Sequence, residues 1–212
     1  MKVIIDQIQY YNKRRSNPSD GYGIISVGNK KYRVKRIGMG AYSVAYQISN
    51  DEVLIDSCCV DISKKIISST AKIKYFPKIT YLGMRKHRCM YIMPYYIPFT
   101  KDIDTDVYLD GVELIDNITE AYNNVVRNTL YALGIKPGKE SENFYTKYNT
   151  EISIGVINTA KIKDKYRKPI MKCLRRIAKY STGVYVDFRK ENLSFDGKEL
   201  VLRDVFGISI GE

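Results

Sequence analysis

The chain has 212 residues, of which 44% are apolar and 12% aromatic. This composition excludes a disordered or fibrous protein and allows one domain or two small lobes around a buried core. Lys and Arg number 35 against 23 Asp and Glu, so the formal net charge is +12. The excess predicts an anionic partner such as nucleic acid, a nucleotide phosphate or an acidic protein face. A merely basic surface explains it equally well, because the positive residues are scattered along the sequence.

Cysteine spacing and apolar run lengths indicate the compartment. Cys58, Cys59, Cys89 and Cys173 show no Cys-x-x-Cys or Cys/His ligand spacing, and His87 is the one histidine, which argues against a zinc site. Adjacent cysteines in an apolar run are typical of core thiols in a reducing compartment. No segment approaches ~18 consecutive apolar residues, and no apolar signal core is found. We therefore expect a cytosolic protein without a membrane-spanning segment.

The N-terminal half predicts strands. The expected elements are a hairpin over 21–34 that turns at Gly28-Asn29, a buried strand over 53–60, a short helix over 62–73 and a strand pair over 76–83 and 88–95. Pro94 and Pro98 bound the exit from the last strand and predict a hinge between two lobes.

The C-terminal half changes to helical spacing. Apolar residues recur at helical intervals over 112–133 and over 170–180, and Pro169 suits the first turn of the second helix. Residues 136–150 are polar and predict a connection. A last hairpin turns at 195–198. Strands followed by helices predict an α+β protein with two lobes.

Two acids and an amide near the C-terminus carry the clearest chemical signal. Asp187, Asn192 and Asp204 alternate with apolar residues that favour burial. One carboxylate can orient a hydroxyl nucleophile, and the amide with the second carboxylate offers hard oxygen ligands to Mg²⁺. These groups touch the reacting atoms in phosphoryl transfer. The purely structural interpretation is that all three are turn and cap residues between short strands.

A second motif lies between two predicted strands. Gly38-Met39-Gly40 precedes a strand over 44–48. A Gly-x-Gly at such a place can fold as a flap whose backbone N–H groups approach a phosphate without obstruction by Cβ atoms. An ordinary hairpin turn is the alternative.

The order of these motifs resembles that of a protein kinase. The matching segments are Gly-x-Gly-x-x-Ser-x-Ala over 38–45, Asp-x-x-x-x-Asn over 187–192, and Asp204-Val205-Phe206-Gly207, which is similar to Asp-Phe-Gly with one residue inserted. The closer resemblance is to the small early-expressed serine/threonine protein kinases of short-tailed lytic bacteriophages. It covers 38–46, 76–94 and 186–206.

The resemblance implies a fold. A minimal bilobed protein kinase-like fold would form one truncated domain, with a β-rich N-terminal lobe over 1–94 and a reduced helical C-terminal lobe over 95–212. The implied activity is transfer of the γ-phosphoryl group of ATP to Ser or Thr of host proteins, during host takeover and in the host cytoplasm. These substrates would be acidic or nucleic-acid-associated, and no membrane would be involved.

The resemblance also implies a role for each candidate residue. Asp187 would accept or orient the substrate hydroxyl proton, and Asn192 and Asp204 would hold Mg²⁺. Arg189 stands where many serine/threonine kinases place a Lys against the γ-phosphate. The residues implied for ATP binding are Gly38, Met39, Gly40, Ser43, Ala45 and Lys35.

The nucleotide-binding half departs from the kinase pattern. The strand predicted over 53–60, which corresponds to the third strand of the kinase pattern, contains no Lys and carries Asp56 near its place. Residues 60–74 contain no Glu to pair with such a Lys. Another cation is therefore expected to reach the phosphates. The candidates are Arg33, Lys35, Lys64 and Lys65.

Two other functions stay open. A degenerate kinase-like inhibitor would bind a host protein without catalysis, which the missing Lys and Glu favour. A basic nucleic-acid-binding protein would use the +12 charge and would stack bases on some of the 19 Tyr, although no nucleic-acid-binding motif is found.

Overall fold

A computed structural model describes residues 5–11, 22–27, 30–39, 43–58, 62–69, 73–85, 87–135, 139–181 and 183–208. The chain is α+β, as its sequence predicts. It divides into two units, of which the first contains Met1–Asp61 and Lys78–Tyr95 and the second contains Ile62–Pro77 and Tyr96–Glu212. The short helix predicted over 62–73 therefore belongs to the second unit.

The first unit is built on an antiparallel sheet. Its described strands are β1 (Ile5–Tyr11), β2 (Tyr22–Val27), β3 (Lys30–Met39), β4 (Ser43–Gln47), β5 (Glu52–Cys58), β6 (Thr80–Arg85) and β7 (Arg88–Pro94). Their order in the sheet is β1-β2-β3-β4-β5-β7-β6. The predicted hairpin is confirmed, because β2 pairs with β3 and Val27 lies opposite Lys30. Its predicted turn, Gly28-Asn29, lies outside the described residues. The predicted pairing of β6 with β7 is also confirmed.

One face of this sheet forms an apolar core. Successive side chains of a strand point to opposite faces, so alternate residues face this core. On β3, Val34 is buried between the exposed Arg33 and Lys35. The buried members of the core are Ile25, Val34, Tyr46, Leu54 and Met90. This alternation fixes the register of the strands, because a slip by one residue would bring the charged side chains into the core.

The second unit contains four described helices and five short strands. The helices are α1 (Ile62–Ser69), α2 (Thr105–Ala132), α3 (Lys139–Thr159) and α4 (Asp164–Ala178). The strands are β8 (Ile97–Pro98), β9 (Val184–Val186), β10 (Leu193–Phe195), β11 (Leu200–Leu202) and β12 (Phe206–Ile208). β10 pairs with β11 and β8, which confirms the predicted last hairpin, and β12 pairs with β9. Within the described ranges, no helix has the length and apolarity needed to cross a bilayer.

Two predicted helix starts and one predicted connection need correction. α2 begins at Thr105 rather than at 112, because the Asp104 carboxylate accepts a hydrogen bond from the Val107 N–H at 3.1 Å and caps the helix. α4 begins at Asp164, so Pro169 lies inside the helix instead of in its first turn. The connection predicted over 136–150 is wrong, because α3 occupies most of that segment.

The junction between α3 and α4 is held by one arginine. The Arg167 guanidinium donates to the carbonyl oxygens of Ile157 at 2.5 Å and Ala160 at 2.7 Å. These carbonyls lie at the end of α3, where backbone acceptors have no partner within the helix. Arg167, in the first turns of α4, therefore donates hydrogen bonds to backbone carbonyls at the end of α3.

Candidate active site

The two predicted catalytic acids lie beside one small sheet of the second unit. β9 ends immediately before Asp187, and β12 begins shortly after Asp204. The two strands are antiparallel, with Val186 opposite Phe206. The Asp187 N–H continues the pairing by donating to the Val205 carbonyl at 2.8 Å. Because the strands are antiparallel, both carboxylates belong to the same end of the sheet.

Asn192 joins the two acids. It ends a 3₁₀ turn over Lys190–Asn192, and its side-chain Nδ2 donates to the Asp187 carbonyl at 2.8 Å. Its own carbonyl accepts the N–H of Arg203 at 2.9 Å and that of Asp204 at 3.2 Å. The amide nitrogen is used by this bond, so the amide oxygen is the atom that a hard cation would take. The structure thus brings together Asp187, Asn192 and Asp204.

Arg189 is paired with Asp187. Its Nη2 lies 2.5 Å from Asp187 Oδ2, and this hydrogen bond raises the pKa of the Arg189 guanidinium. The Arg189 side chain is 69% exposed, whereas that of Asp187 is 23% exposed. An exposed guanidinium next to the carboxylate can turn toward an incoming anion without disturbing the packing around it.

Asp204 is paired with Lys64 of α1. Lys64 Nζ lies 3.1 Å from Asp204 Oδ1. The lysine side chain is 8% exposed and the aspartate side chain 43% exposed. Both residues belong to the second unit. The sequence predicted Lys64 only as one of four cations that could reach a phosphate, and the structure places this one on the predicted metal-binding acid.

The segment that follows α1 is fixed against the same strands. The Phe76 ring stacks on the Phe206 ring of β12, with 5.9 Å between centroids. The Leu202 N–H of β11 donates to the Tyr75 carbonyl at 2.7 Å. These contacts hold Tyr75 and Phe76 on the strands that flank Asp204.

Two hydroxyl side chains of α3 position β9. Ser153 Oγ donates to the Val184 carbonyl at 3.1 Å, and the Val184 N–H donates to Thr150 Oγ1 at 3.2 Å. Both side chains are buried. The sequence reasoning missed these positioning residues. The signal that could have found them is a pair of hydroxyl residues three apart, and hence on one helix face.

The predicted flap residues lie in the first unit. Gly38 and Met39 end β3, and Ser43 begins β4. Gly38 lies opposite Ala45, next to a β-bulge between Arg36 and Gly38. The β3–β4 hairpin therefore brings together Gly38, Met39, Ser43 and Ala45 and carries the exposed Lys35. Gly40, at the predicted tip, lies outside the described residues.

Asp56 has a structural role in the first unit. Arg88 Nε donates to its Oδ1 at 2.5 Å, and Arg88 Nη2 donates to its carbonyl at 2.9 Å. Burial raises the pKa of the Asp56 carboxyl, and Arg88 opposes this shift. An acid buried against an arginine within the sheet is not a phosphate-binding group.

The oxygen atoms beside the small sheet are of the chemical type that Mg²⁺ prefers. Among the residues that the structure describes, no three His, Cys, Asp or Glu side chains form a metal-binding group. Mg²⁺ does not need such a group, since it keeps several waters and is held by one or two carboxylates together with substrate phosphates. Asp204 and the amide oxygen of Asn192 are a ligand pair of this kind.

Comparison with known proteins gave no match to a protein-family model, to a curated protein or to a solved structure.

Proposed function

We propose that the chain is an enzyme of protein kinase-like fold that transfers the γ-phosphoryl group of ATP to Ser or Thr of a host protein. The observation that carries this proposal is the hydrogen-bond network around Asn192. Its amide donates to the Asp187 carbonyl, and its own carbonyl accepts the Asp204 N–H. A hydroxyl-orienting acid and two oxygen ligands for Mg²⁺ are thereby fixed on adjoining backbone, as phosphoryl transfer requires.

The residues divide the chemistry between them. Asp187 orients the substrate hydroxyl and accepts its proton. Asn192 and Asp204 would hold Mg²⁺, which when bound neutralises charge on the phosphate oxygens. Arg189 leaves Asp187 for the γ-phosphate and stabilises the charge that gathers there during transfer. The Asp187 carboxylate is then released for the hydroxyl.

A label-transfer assay tests the proposal. The purified chain is incubated with [γ-³²P]ATP, MgCl₂ and a lysate of the host, and acid-stable label in protein is counted. We expect Asp187→Asn and Asp204→Asn each to lower the rate by a factor of about 10²–10⁴, the usual contribution of such groups. Asp116→Asn is the matched control, because Asp116 is an exposed acid of α2 outside the site. Wild-type rates in both site variants would contradict the proposal.

A non-catalytic inhibitor is the second candidate. The observation that favours it is the buried Asp56, paired with Arg88, near the place where a kinase carries its nucleotide-binding Lys. Such an inhibitor would capture a host protein equally well with and without ATP and MgCl₂, and Asp187→Asn would capture it as well as wild type. The kinase proposal, in contrast, requires that the chain transfers label and that this transfer depends on Asp187.

A further inference from the structure

Lys64 has an environment that a surface lysine does not share. It lies on α1 next to the buried Ile66 and Ile67, and 6% of the residue is exposed. Its ammonium group donates to Asp204 Oδ1 at 3.1 Å. Charged groups are buried only where an opposite charge compensates the lost hydration, so the ammonium requires an anion beside it. Lys65, the next residue of the helix, is exposed.

We propose that Lys64 is the phosphate-binding cation of the proposed kinase site, held on Asp204 until Mg²⁺ takes that carboxylate. The inference rests on the proposed function and deepens it, because it assigns the cation that the third strand does not supply. Lys64 would bind a nucleotide phosphate rather than serve only to hold the fold together.

The argument follows from the charges. One carboxylate cannot neutralise both a divalent cation and an ammonium group, so a cation bound to Asp204 repels Lys64. The displaced ammonium stays in a largely buried position, where an anion close to it is favourable. A metal-bound phosphate carries several negative oxygens and would be the nearest new anion. The four-carbon stem of lysine lets Nζ move by a few ångströms while the helix stays in place.

The proposed move of Lys64 from Asp204 to a phosphate predicts opposite changes in two binding affinities, which a purely structural role would not produce. In Lys64→Met the side chain keeps its length but loses its charge. Without the competing ammonium, the nucleotide-free protein should bind a divalent cation more tightly. Without the phosphate contact, it should bind nucleotide more weakly. A variant that merely damaged the fold would lose both affinities together.

Two titrations measure these affinities. MnCl₂ alone is titrated into nucleotide-free protein and followed by electron paramagnetic resonance. A fluorescent ATP analogue is then titrated in the presence of MgCl₂. For Lys64→Met we expect Mn²⁺ binding to tighten by up to about fivefold, the size of a partly exposed ion pair. We expect nucleotide binding to weaken by a factor of about 10–100, the size of a charged hydrogen bond.

Three variants complete the test. Lys172→Met is the matched control, because Lys172 is an exposed lysine of α4 that is not among the candidate cations, and it should leave both affinities unchanged. Lys64→Arg keeps the charge and should retain more nucleotide affinity than Lys64→Met. Asp204→Asn should weaken Mn²⁺ binding. Lys64→Met is expected to fold, because the Asp204 side chain is 43% exposed and its carboxylate can be hydrated, and thermal melting verifies this.

The outcomes separate the inference from the proposed function. Nucleotide affinity of Lys64→Met within twofold of wild type, or a parallel loss of both affinities, overturns the inference and leaves the kinase proposal standing on Asp187 and Asp204. Absence of Mn²⁺ and nucleotide binding in the wild-type protein overturns both. Unchanged Mn²⁺ affinity in Asp204→Asn removes the metal site, and with it the exchange.

Discussion

At the scale of single residues, the buried carboxylate of Asp56 in the first unit is paired with Arg88. Asp56 lies on β5, and its side chain is 3% exposed. It lies opposite Met90 of β7, and Arg88, two residues before Met90 on that strand, forms an ion pair with it. The guanidinium compensates part of the hydration that the buried carboxylate loses there. Removing Arg88 alone would leave a buried charge without this partner.

The loss of Arg88 should cost stability in a pH-dependent way. We expect Arg88→Met to lower the free energy of unfolding by about 3 kcal/mol at pH 7. Burial already raises the folded-state pKa of Asp56, and the variant raises it further. The folded state then binds the proton at higher pH than the unfolded chain, so stability falls as pH rises through this window. Below about pH 4, the ordinary carboxyl range, the part of the deficit that comes from the ion pair should disappear.

Urea denaturation at several pH values measures this effect. The double variant Asp56→Leu/Arg88→Met is the control and should recover most of the loss, because both charges are then absent. A deficit in Arg88→Met that is the same at all pH values would show that the ion pair is not its cause.

The candidate acids and Arg189 could be named from the sequence, whereas the choice of Lys64 among four candidate cations could not be made from it. Asp187, Asn192 and Asp204 keep a fixed spacing between apolar strand residues, and that spacing is visible along the chain. The choice of Lys64 over Lys65 depends on which face of α1 packs inward. Periodicity alone does not settle this in a helix of 8 residues that carries two adjacent lysines.

At the scale of elements, α2 lies against the β8–β10–β11 sheet at a glycine. A Cβ atom on Gly111 would lie 2.4 Å from Phe99 Cζ and 3.3 Å from Leu200 Cδ1. Phe99 is buried and stacks on Tyr108 with 5.1 Å between centroids, so its ring cannot easily yield. Gly111 is therefore required by close packing and not by backbone conformation.

Gly111 and Gly155 form a matched pair for testing this packing. We expect Gly111→Ala to lower the free energy of unfolding by about 1–3 kcal/mol through overpacking. Gly155 lies in α3, where a Cβ atom would be in ordinary contact at 3.5 Å from Val125 Cγ1. Gly155→Ala should raise stability by about 0.5–1 kcal/mol, because Ala favours a helix. Urea midpoints compare the two, and equal effects would contradict the contact with Phe99.

The element that sequence patterns could not predict is α3. Pro137-Gly138 and the polar residues after it are typical of a connection. The buried face of the helix includes Asn149, Thr150 and Ser153, whose polarity hides the apolar stripe that marks a helix. Two of these side chains bind the backbone of β9, so the pattern fails at an element that positions the candidate site.

At the scale of the whole molecule, the acids, the amide and the lysine of the candidate site belong to one unit. Asp187, Asn192, Asp204 and Lys64 all lie in the second unit, whereas the predicted flap and Lys35 lie in the first. The motif order along the chain predicted both groups, and the structure describes each within its own unit. The proposed phosphoryl transfer is accordingly tested most directly at the second unit.

The decisive measurement is a crystal structure with a non-hydrolysable ATP analogue and Mn²⁺, with the anomalous signal of the metal recorded. The proposal predicts a metal peak within about 2–2.5 Å of the Asn192 amide oxygen and an Asp204 carboxylate oxygen. Lys64 Nζ should lie on a phosphate oxygen and no longer on Asp204. Bound nucleotide with its metal peak away from Asn192 and Asp204 would contradict the proposed site.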